Sequence, residues 1–311
     1  MKAHAQSSYI FLGKPRVVAI VGPTSSGKTA LGIYLAQKLG GEVISADSRQ
    51  VYKGLNIGTG KVTKKEMAGI PHHLLDVASP KCIFSADDFK KLGEQAIASI
   101  YRSKKIPIVV GGTGLYADVL LGRMTLPEVP PNPQLRKQLD TKSARQLFAL
   151  LLKKDPERAK NIEPTHKRRL VRALEIAEAL GRSPAKSDAM HAAGSAYDVL
   201  WLGLNPPQKV LNKKIAERLH ARLKAGMLTE AKKLHAGGLS YKRMEALGLE
   251  YRSLARFLQN KITHTEMVAE LERAIPHYAK RQMRWFKRNP NIVWIKNKTE
   301  ALRLAKKFLS R

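Results

Sequence analysis

The sequence has almost no cysteine and no long apolar run. A single thiol, Cys82, excludes a disulfide-stabilised scaffold, and the lack of a Cys/His cluster argues against a zinc module. No apolar run approaches the roughly 20 residues that a membrane helix needs, and residues 9–12 are too short for a secretory signal. We therefore expect a protein of the reducing cytoplasm that binds no membrane.

Acidic residues are also scarce relative to basic ones. Lysine and arginine number 56 against 25 aspartates and glutamates, which gives a formal net charge of +31. An excess of this size favours nucleic acid, an anionic membrane or a heavily phosphorylated substrate as the partner. Hydrophobic residues make up 43% of the chain, so a folded core is expected rather than a disordered polycation.

The first third of the chain alternates short apolar runs with helical stretches. Residues 16–21 form a β-branched run that ends at a glycine turn, and a helical pattern follows from Lys28 to Gly40. Further apolar runs cover residues 42–46 and 106–110. Strands buried on both faces and separated by helices predict a parallel α/β sheet.

Four prolines within residues 126–133 interrupt this pattern and mark a boundary. The next residues, up to about 193, read as helices, and a strand-like piece at 199–204 suggests a return to the sheet. The chain of 311 residues corresponds to roughly two domains. We expect a first part of the core at 1–124, a helical insertion at 125–195, and a second part of the core with basic C-terminal helices at 196–311.

The strongest single motif lies between the first strand and its helix. Residues 22–29, GPTSSGKT, fit the P-loop pattern G-x-x-x-x-G-K-[ST] in the strand–turn–helix context that confirms such a match. In this loop, backbone N–H groups and the helix N-terminus bind a polyphosphate. Lys28 neutralises the phosphate oxygens, and the Thr29 hydroxyl is the expected ligand of a magnesium ion.

The expected partner of a nucleotide-hydrolysing P-loop is missing. Such enzymes carry an aspartate at the end of a later apolar strand, where it helps to hold magnesium. Here the run at 106–110 ends in Gly111, Gly112 and Thr113 instead. This weakens an ATPase interpretation and leaves open a loop that holds a diphosphate leaving group.

Asp47 ends the second predicted strand, at the sheet edge where α/β proteins bind ligands. There, a carboxylate can accept a proton from an acceptor substrate while the P-loop holds the donor. An aspartate before a serine at a strand end is, taken alone, more often a helix cap. Beside a P-loop we favour the general base.

Several strings in fixed order carry a family resemblance. GPTSSGKT, ADSRQVYKGLNIGTGK, PHHLLDV, FSADDF and VVGGTGLY are followed by KIAERLHARLKAGMLTEAKKL, EALGLEY and YAKRQMRWFKR. This ordered set resembles the tRNA dimethylallyltransferases over nearly the whole chain, most weakly in the predicted insertion. The resemblance implies a P-loop NTPase-like α/β fold with a mostly helical insertion that contacts tRNA.

The same resemblance implies a reaction and its partners. Family members transfer a dimethylallyl group from dimethylallyl diphosphate to N6 of the adenosine at tRNA position 37, beside the anticodon. The implied cofactor is Mg²⁺, and the implied partner is the anticodon stem-loop of tRNA. We expect the protein to act as a monomer.

The resemblance also assigns residues to the chemical step. Asp47 matches the base, and Arg218, Thr24 and Lys28 match groups that stabilise the departing diphosphate. Taken alone, Arg218 is more simply a solvated helix charge. The expected diphosphate ligands are Gly22, Thr24, Ser25, Ser26, Gly27, Lys28, Thr29 and Arg218, with Thr29 the metal ligand.

Contacts to tRNA are expected around a flipped adenine and along basic surfaces. Two clusters account for much of the charge, one at residues 166–169 with Arg172 and one at 280–288, where aromatic residues are interleaved. Charges of this kind bind phosphates and carry little sequence information, although each cluster could equally be a solvated face. Thr113 could be a simple turn residue and Arg136 a solvated side chain. The expected tRNA contacts are Asp47, Ser48, Arg49, Gln50, Thr113, Arg136, Lys167, Arg168, Arg169, Gly248, Lys280 and Arg281.

The chain departs from the family pattern in two segments expected to face tRNA. It reads Pro-Thr-His at 164–166 where many members have Pro-Asn-Asp, and Gly-Leu-Glu-Tyr at 248–251 where many have Gly-Tyr-Lys-Glu. These departures leave the chemical step untouched but bear on the tRNA contacts. A Cys/His finger like that of eukaryotic members is absent, so we expect the short bacterial form.

Two other functions remain open. A P-loop kinase of a small molecule or nucleoside would turn over ATP without RNA and would gain nothing from the positive charge. A non-catalytic RNA-binding protein would keep the loop as a relic, and changing Asp47 would then alter no activity.

Overall fold

The structure, a computed structural model, describes residues 13–181 and 195–311. These residues form two compact units. One comprises residues 13–121 together with 196–311, and the other extends from Gly122 to Ser195. Within the described ranges, no helix is long and apolar enough to cross a lipid bilayer.

The first unit is built on a six-stranded sheet in which every neighbouring pair is parallel. Its order is β3-β2-β4-β1-β5-β6, so β4 and β5 lie on either side of β1. This arrangement confirms the α/β fold class. The strands are β1 (Arg16–Val21), β2 (Gly41–Ser45), β3 (His72–His73), β4 (Ile106–Gly111), β5 (Asp198–Gly203) and β6 (Ile292–Trp294).

Helices cover the sheet on both faces. The described helices are α1 (Lys28–Leu39), α2 (Lys64–Met67), α3 (Ala86–Arg102), α4 (Gly114–Leu120), α5 (Pro133–Asp140), α6 (Ala144–Lys154), α7 (Pro156–Ala159), α8 (Lys167–Leu180), α9 (Gln208–Lys224), α10 (Met227–Ala236), α11 (Tyr241–Leu247), α12 (Leu249–Leu258), α13 (His264–Phe286) and α14 (Lys298–Leu309). Of these, α5 to α8 belong to the second unit, and the others belong to the first.

The central strand β1 explains the two-sided packing. Its side chains alternate between the faces of the sheet, and residues Val17 to Val21 are all buried. Val17 and Ala19 join one core cluster with α3 and α4, whereas Val18 and Ile20 join another with α1 and α14. The apolar run therefore reads as continuous in sequence because both of its faces are covered.

A further apolar cluster lies beside the sheet within the first unit. Residues of α9 to α13 pack around the segment that follows β2, including Val51 and Leu55. Tyr251 is among its largest fully buried side chains. This cluster fixes the segment between Asp47 and α2, from which several site residues come.

The second unit is helical in its described part. Leu147 and Leu151 of α6 pack against Leu170 and Leu174 of α8 in a small separate core. The stretches predicted as helices between residues 134 and 181 correspond to α5, α6 and α8. The rest of the predicted insertion, residues 182–194, lies outside the described residues.

Candidate active site

Three loops meet at one edge of the sheet, where β1, β4 and β2 end. Because these strands are parallel neighbours in the order β2-β4-β1, their carboxyl ends lie side by side. The P-loop follows β1, Asp47 follows β2, and Thr113 follows β4. The sheet therefore brings together three sites predicted from separate parts of the sequence.

The P-loop has the backbone of an anion cradle. Ser25 and Gly27 adopt left-handed conformations with φ of 60° and 92°, and α1 begins directly afterwards at Lys28. Gly27 is the N-cap and makes no side-chain hydrogen bond to the first turn, which leaves that helix end open to an anion. At Gly22, a Cβ would lie only 2.7 Å from the Leu204 carbonyl oxygen, so glycine is required there.

The pKa of Lys28 is affected by the other two charged groups predicted for the site, Asp47 and Arg218. Its Nζ donates a hydrogen bond of 2.6 Å to the Pro23 carbonyl oxygen. Burial lowers the pKa of Lys28 to about 7; the Asp47 carboxylate partly opposes this, and the Arg218 guanidinium adds to it. The charges of Asp47 and Arg218 are therefore close enough to Lys28 to act on its proton.

Asp47 is held by a turn and keeps one oxygen available. Its Oδ1 accepts hydrogen bonds from the backbone N–H groups of Arg49 at 2.8 Å and Gln50 at 3.2 Å. No helix follows this turn. The alternative role considered for Asp47 from the sequence, that of a helix cap, therefore does not apply. Within the described part of the chain, no donor is bonded to Oδ2. That oxygen can accept a proton from a ligand.

Thr113 connects the Asp47 turn to the loop after β4. Its Oγ1 accepts a hydrogen bond of 3.0 Å from the Ser48 N–H. Tyr278 of α13 lies beside Thr113, and burial together with the nearby Asp47 raises the pKa of this tyrosine. The Thr113 loop is therefore bonded to the segment after β2 and lies against α13.

Arg218 projects from α9 towards the glycine-rich segment after Asp47. Its Nη2 donates to the Gly60 carbonyl oxygen at 2.9 Å, and a Cβ at Gly60 would overlap the guanidinium. Burial and the neighbouring Arg222 lower the pKa of Arg218, while Glu250 and Asp47 oppose the shift. Arg218 is thus a half-buried cation bonded to the segment after Asp47 rather than a fully solvated helix charge.

Glu230 of α10 organises the same segment and was not identified from the sequence. Its Oε2 accepts from the N–H groups of Asn56 at 2.9 Å and Ile57 at 2.7 Å. Its Oε1 accepts from the Gly58 N–H at 2.9 Å and the Tyr251 hydroxyl at 2.7 Å. The glycines of GLNIGTGK are the only sequence signal for this arrangement, because they imply close approach by another group.

Residues 248–251, where the chain differs from the family pattern, take part in the hydrogen bonds around residues 56–60. Gly248 and Leu249 have positive φ angles of 77° and 38° where α11 meets α12. Glu250 accepts from Arg222 Nη1 at 3.0 Å, and the same nitrogen donates to the Gly58 carbonyl oxygen at 2.8 Å. In this chain, Glu250 and Tyr251 therefore support the segment that also contacts Arg218.

In the second unit, the predicted basic residues have different environments. Arg168 and Arg169 are exposed on α8, whereas Lys167 Nζ donates to the Asp140 carbonyl oxygen at 2.6 Å. Arg136 forms two hydrogen bonds of 2.8 Å to the buried Glu175 carboxylate. Arg136 is therefore engaged in an internal ion pair, and its contact with tRNA stays a prediction.

The basic residues of α13 are exposed. Lys280 and Arg281 lie on its solvent side, and the Arg281 guanidinium lies 5.7 Å from the centroid of the Tyr278 ring. The Arg288 guanidinium lies 5.8 Å from the centroid of the Trp285 ring. Aromatic rings thus lie within cation–π range of two cations, one on α13 and one just after it.

The loop residues fit a diphosphate with a magnesium ion. The Ser26 hydroxyl is buried and has no hydrogen-bond partner among the described residues of the protein, as expected for a group that binds an anion. Thr29 is exposed at the start of α1, and the described residues contain no cluster of three His, Cys, Asp or Glu able to hold a metal. An ion bound by one hydroxyl, phosphate oxygens and water matches the preference of Mg²⁺.

Comparison with known proteins gives a consistent result. A sequence model described as IPP transferase matches residues 50–289. The tRNA dimethylallyltransferase of Streptomyces coelicolor is 37% identical over 303 residues, 96% of each chain. The tRNA dimethylallyltransferase 1 of Trichlorobacter lovleyi is 41% identical over 288 residues, covering 91% of this chain and 94% of the relative.

Solved structures agree with these relatives. The tRNA isopentenylpyrophosphate transferase of Bacillus halodurans has a TM-score of 0.71 at 34% identity and covers 95% of this chain and 97% of its own. A eukaryotic dimethylallyltransferase described as acting on tRNA has a TM-score of 0.81 at 27% identity, with 95% and 80% covered. The family model and these relatives confirm the resemblance seen in the sequence: this chain belongs to the IPP transferase family.

Proposed function

We propose that this protein transfers a dimethylallyl group from dimethylallyl diphosphate to the exocyclic N6 of the adenosine at tRNA position 37. The observation that carries this proposal is that the P-loop of Lys28 and the turn of Asp47 follow strands that end at one sheet edge, where the Arg218 charge acts on both groups. This arrangement combines two cations suited to a departing diphosphate with one carboxylate suited to a proton. The names of the relatives support the same reaction.

In the proposed mechanism, the P-loop holds the diphosphate of the donor. The open N-terminus of α1 and the Ser26 hydroxyl bind phosphate oxygens, and Lys28 and Arg218 neutralise the charge that grows on them. A magnesium ion on Thr29 would add positive charge at the same oxygens. Each such preorganised donor typically contributes a few kcal/mol to lowering the barrier.

Bond changes take place at the allylic carbon and at the adenine amine. The bond between the allylic carbon and the diphosphate oxygen breaks, and the electron pair leaves with the diphosphate. The N6 lone pair forms the new C–N bond, and one N6 proton passes to the free Oδ2 of Asp47. Because that lone pair is delocalised into the ring, a positioned base accelerates the step by about 10²–10⁴-fold.

Binding of tRNA is proposed to use the residues around this edge together with two basic surfaces. Ser48, Arg49, Gln50 and Thr113 would contact the flipped adenine and its neighbours, because they share the turn and loop that hold Asp47. The phosphate contacts would come from the exposed cations of α8 and α13. We propose that the protein acts as a monomer in the cytoplasm.

A small-molecule kinase is less well supported by the site. The loop after β4 carries Gly112 and Thr113 where a magnesium-binding aspartate would be expected, and Thr113 is already bonded to Ser48. Phosphoryl transfer from ATP in the absence of RNA would favour the kinase.

The decisive experiment is nucleoside mass spectrometry. Unmodified tRNA is incubated with the protein, dimethylallyl diphosphate and Mg²⁺, digested, and searched for N6-isopentenyladenosine. A control tRNA with guanosine at position 37 should remain unmodified. If wild-type protein yields no prenylated adenosine from any tRNA tested, the proposed function is wrong.

A further inference from the structure

The side chain of Gln282 lies between two loops of the site. It projects from α13, is 6% exposed, and has a polar partner at each end of its amide. Its Oε1 accepts a hydrogen bond of 2.8 Å from the Thr24 N–H of the P-loop. Its Nε2 donates a hydrogen bond of 2.8 Å to the Gly112 carbonyl oxygen in the loop after β4.

The two loops serve opposite halves of the proposed reaction, on which this inference rests. The P-loop holds the diphosphate donor, whereas the loop after β4 carries Thr113, which is bonded to the turn of Asp47. A single amide therefore links the donor side to the acceptor side. The bond to Gly112 is buried and the bond from Thr24 is part-buried, so their loss would leave a carbonyl and a backbone N–H without these partners.

The Gln282 amide lies tightly against Gly112 and has only one orientation that satisfies both hydrogen bonds. A Cβ at Gly112 would overlap Gln282 Nε2, so glycine at this position allows the amide to approach. The bond to Gly112 O also fixes which end of the amide faces Thr24, because only the NH₂ end can donate to a carbonyl.

The helix that carries Gln282 is itself fixed across the same sheet edge. Tyr278, one turn earlier, lies beside Thr113, and Trp285 Nε1 donates to Asp118 Oδ2 of α4 at 2.8 Å. A Cβ at Gly114 would overlap the Trp285 ring. These residues hold α13 on both sides of Gln282, so the backbone from which its side chain projects is held in place.

We propose that Gln282 is a positioning residue that sets the separation between the diphosphate-binding loop and the loop that supports the adenine-binding turn. It contacts neither the allylic carbon nor the amine. It acts through Thr24 and Gly112, and its effect falls on the rate of transfer rather than on the capture of tRNA.

The first test replaces Gln282 by methionine, which keeps the length and packing of the side chain but removes both hydrogen bonds. Displacement of reacting groups by about 1 Å costs on the order of 100-fold in rate. We expect kcat for prenylation to fall by about 10- to 100-fold, with the Kd for tRNA changed by less than about twofold. The matched control is Gln259→Met at the end of α12, where the amide bonds Glu245 and Ala255; it should leave kcat unchanged.

A second test uses the tight contact at Gly112 in a double-mutant cycle. Gly112→Ala should lower kcat because the new methyl group displaces the Gln282 amide. Once Gln282 is changed to alanine, that collision disappears, so Gly112→Ala with Gln282→Ala should be no worse than Gln282→Ala alone. The concentration of folded enzyme is taken from circular dichroism, so that kcat refers to native protein.

The outcomes separate this inference from the proposed function. Normal kcat in Gln282→Met, or strictly additive losses in the double mutant, would overturn the positioning role while prenylation by the wild type stands. A loss accounted for wholly by unfolded protein would also overturn it. Absence of prenylation in the wild type would instead remove the proposed function itself.

Discussion

Asp47 can be tested with a variant that preserves its turn. In Asp47→Asn, the amide oxygen can still accept from the Arg49 and Gln50 N–H groups, but the side chain can no longer take a proton. We expect kcat for prenylation to fall by about 10²–10⁴-fold, while the Kd for tRNA changes little. Single-turnover assays with excess enzyme measure this step directly.

Asp47→Ala provides the comparison, since it removes both the base and the acceptor of the turn. It should be at least as inactive as Asp47→Asn. Near-normal turnover in Asp47→Asn would contradict the assignment of the base, and a matching loss of tRNA affinity would assign the carboxylate to binding instead.

The lowered pKa of Lys28 predicts that diphosphate binding depends on pH. Burial lowers the pKa of Lys28 to about 7, so in the free protein its positive charge is lost as pH rises through that value. A bound anion favours the charged form and raises the pKa. Above about pH 7, binding of inorganic diphosphate should therefore be accompanied by proton uptake.

Calorimetry in buffers of different ionisation enthalpy measures the number of protons taken up. Lys28→Met serves as the control, because diphosphate itself also titrates in this range. The difference between wild type and variant should be an uptake that grows from pH 7 upward. Equal proton uptake by the two proteins at all pH values would disprove this account of Lys28.

At the scale of single residues, the sequence identified groups with recognisable chemistry. The P-loop lysine and a carboxylate at a strand end can be inferred from local patterns, and the structure places their charges in one environment with Arg218. Glu230 and Gln282 could not be inferred in this way. Their partners are backbone atoms 172 and 258 positions away, as in the Glu230–Gly58 and Gln282–Thr24 bonds, and such contacts leave no local pattern.

At the scale of elements, the second unit contains an ion cluster that joins α5 to α8. Glu175 accepts from Arg136 and from the Asn132 N–H, and it also pairs with Arg172. Burial alone would raise the pKa of Glu175, but these hydrogen bonds hold it at about 2. Its contribution to stability is therefore complete above the ordinary value of 4.5 and is lost as pH falls towards 2.

Glu175→Gln should lower the free energy of unfolding of this unit by about 3–5 kcal/mol, because two arginines lose their buried counter-charge. Urea-induced unfolding followed by circular dichroism measures the change. The matched control is Glu178→Gln on the same helix, whose exposed pair with Lys154 should contribute less than about 1 kcal/mol. Equal effects of the two substitutions would refute a special role for the buried cluster.

The elements themselves were largely predictable where their pattern was long enough. β1, β4 and the helices α1, α6 and α8 follow from apolar runs and helical periodicity. The two edge strands did not follow, since His72–His73 and Ile292–Trp294 are too short to show any alternation. Their positions depend on pairing with β2 and β5, which is a tertiary effect.

At the scale of the whole molecule, the charge of +31 predicts a strong salt dependence of tRNA binding. Replacing the exposed Arg168 and Arg169 of α8 by glutamate should weaken binding and reduce the slope of log K against log salt by about 1–2. Filter binding at several salt concentrations provides the slope.

A control variant with the same change in net charge separates direct contacts with tRNA from the general electrostatic attraction between the basic protein and tRNA. Lys306→Glu with Lys307→Glu alters two exposed residues of α14, which were not assigned to tRNA binding. The slope should be preserved in this control. Identical slopes for the two charge-reversed proteins would remove Arg168 and Arg169 from the interface.

The strand order has a consequence for how the protein is made in the cell. The strand that carries the P-loop at its end pairs on one side with β4 and on the other with β5, where Arg16 lies opposite Asp198. During synthesis, the ribosome must therefore deliver the complete second unit before the central strand gains its last neighbour. Until then the edge of β1, whose residues Val17 to Val21 are buried in the folded protein, has no partner on that side, and an unpaired strand edge of this kind favours aggregation of the nascent chain.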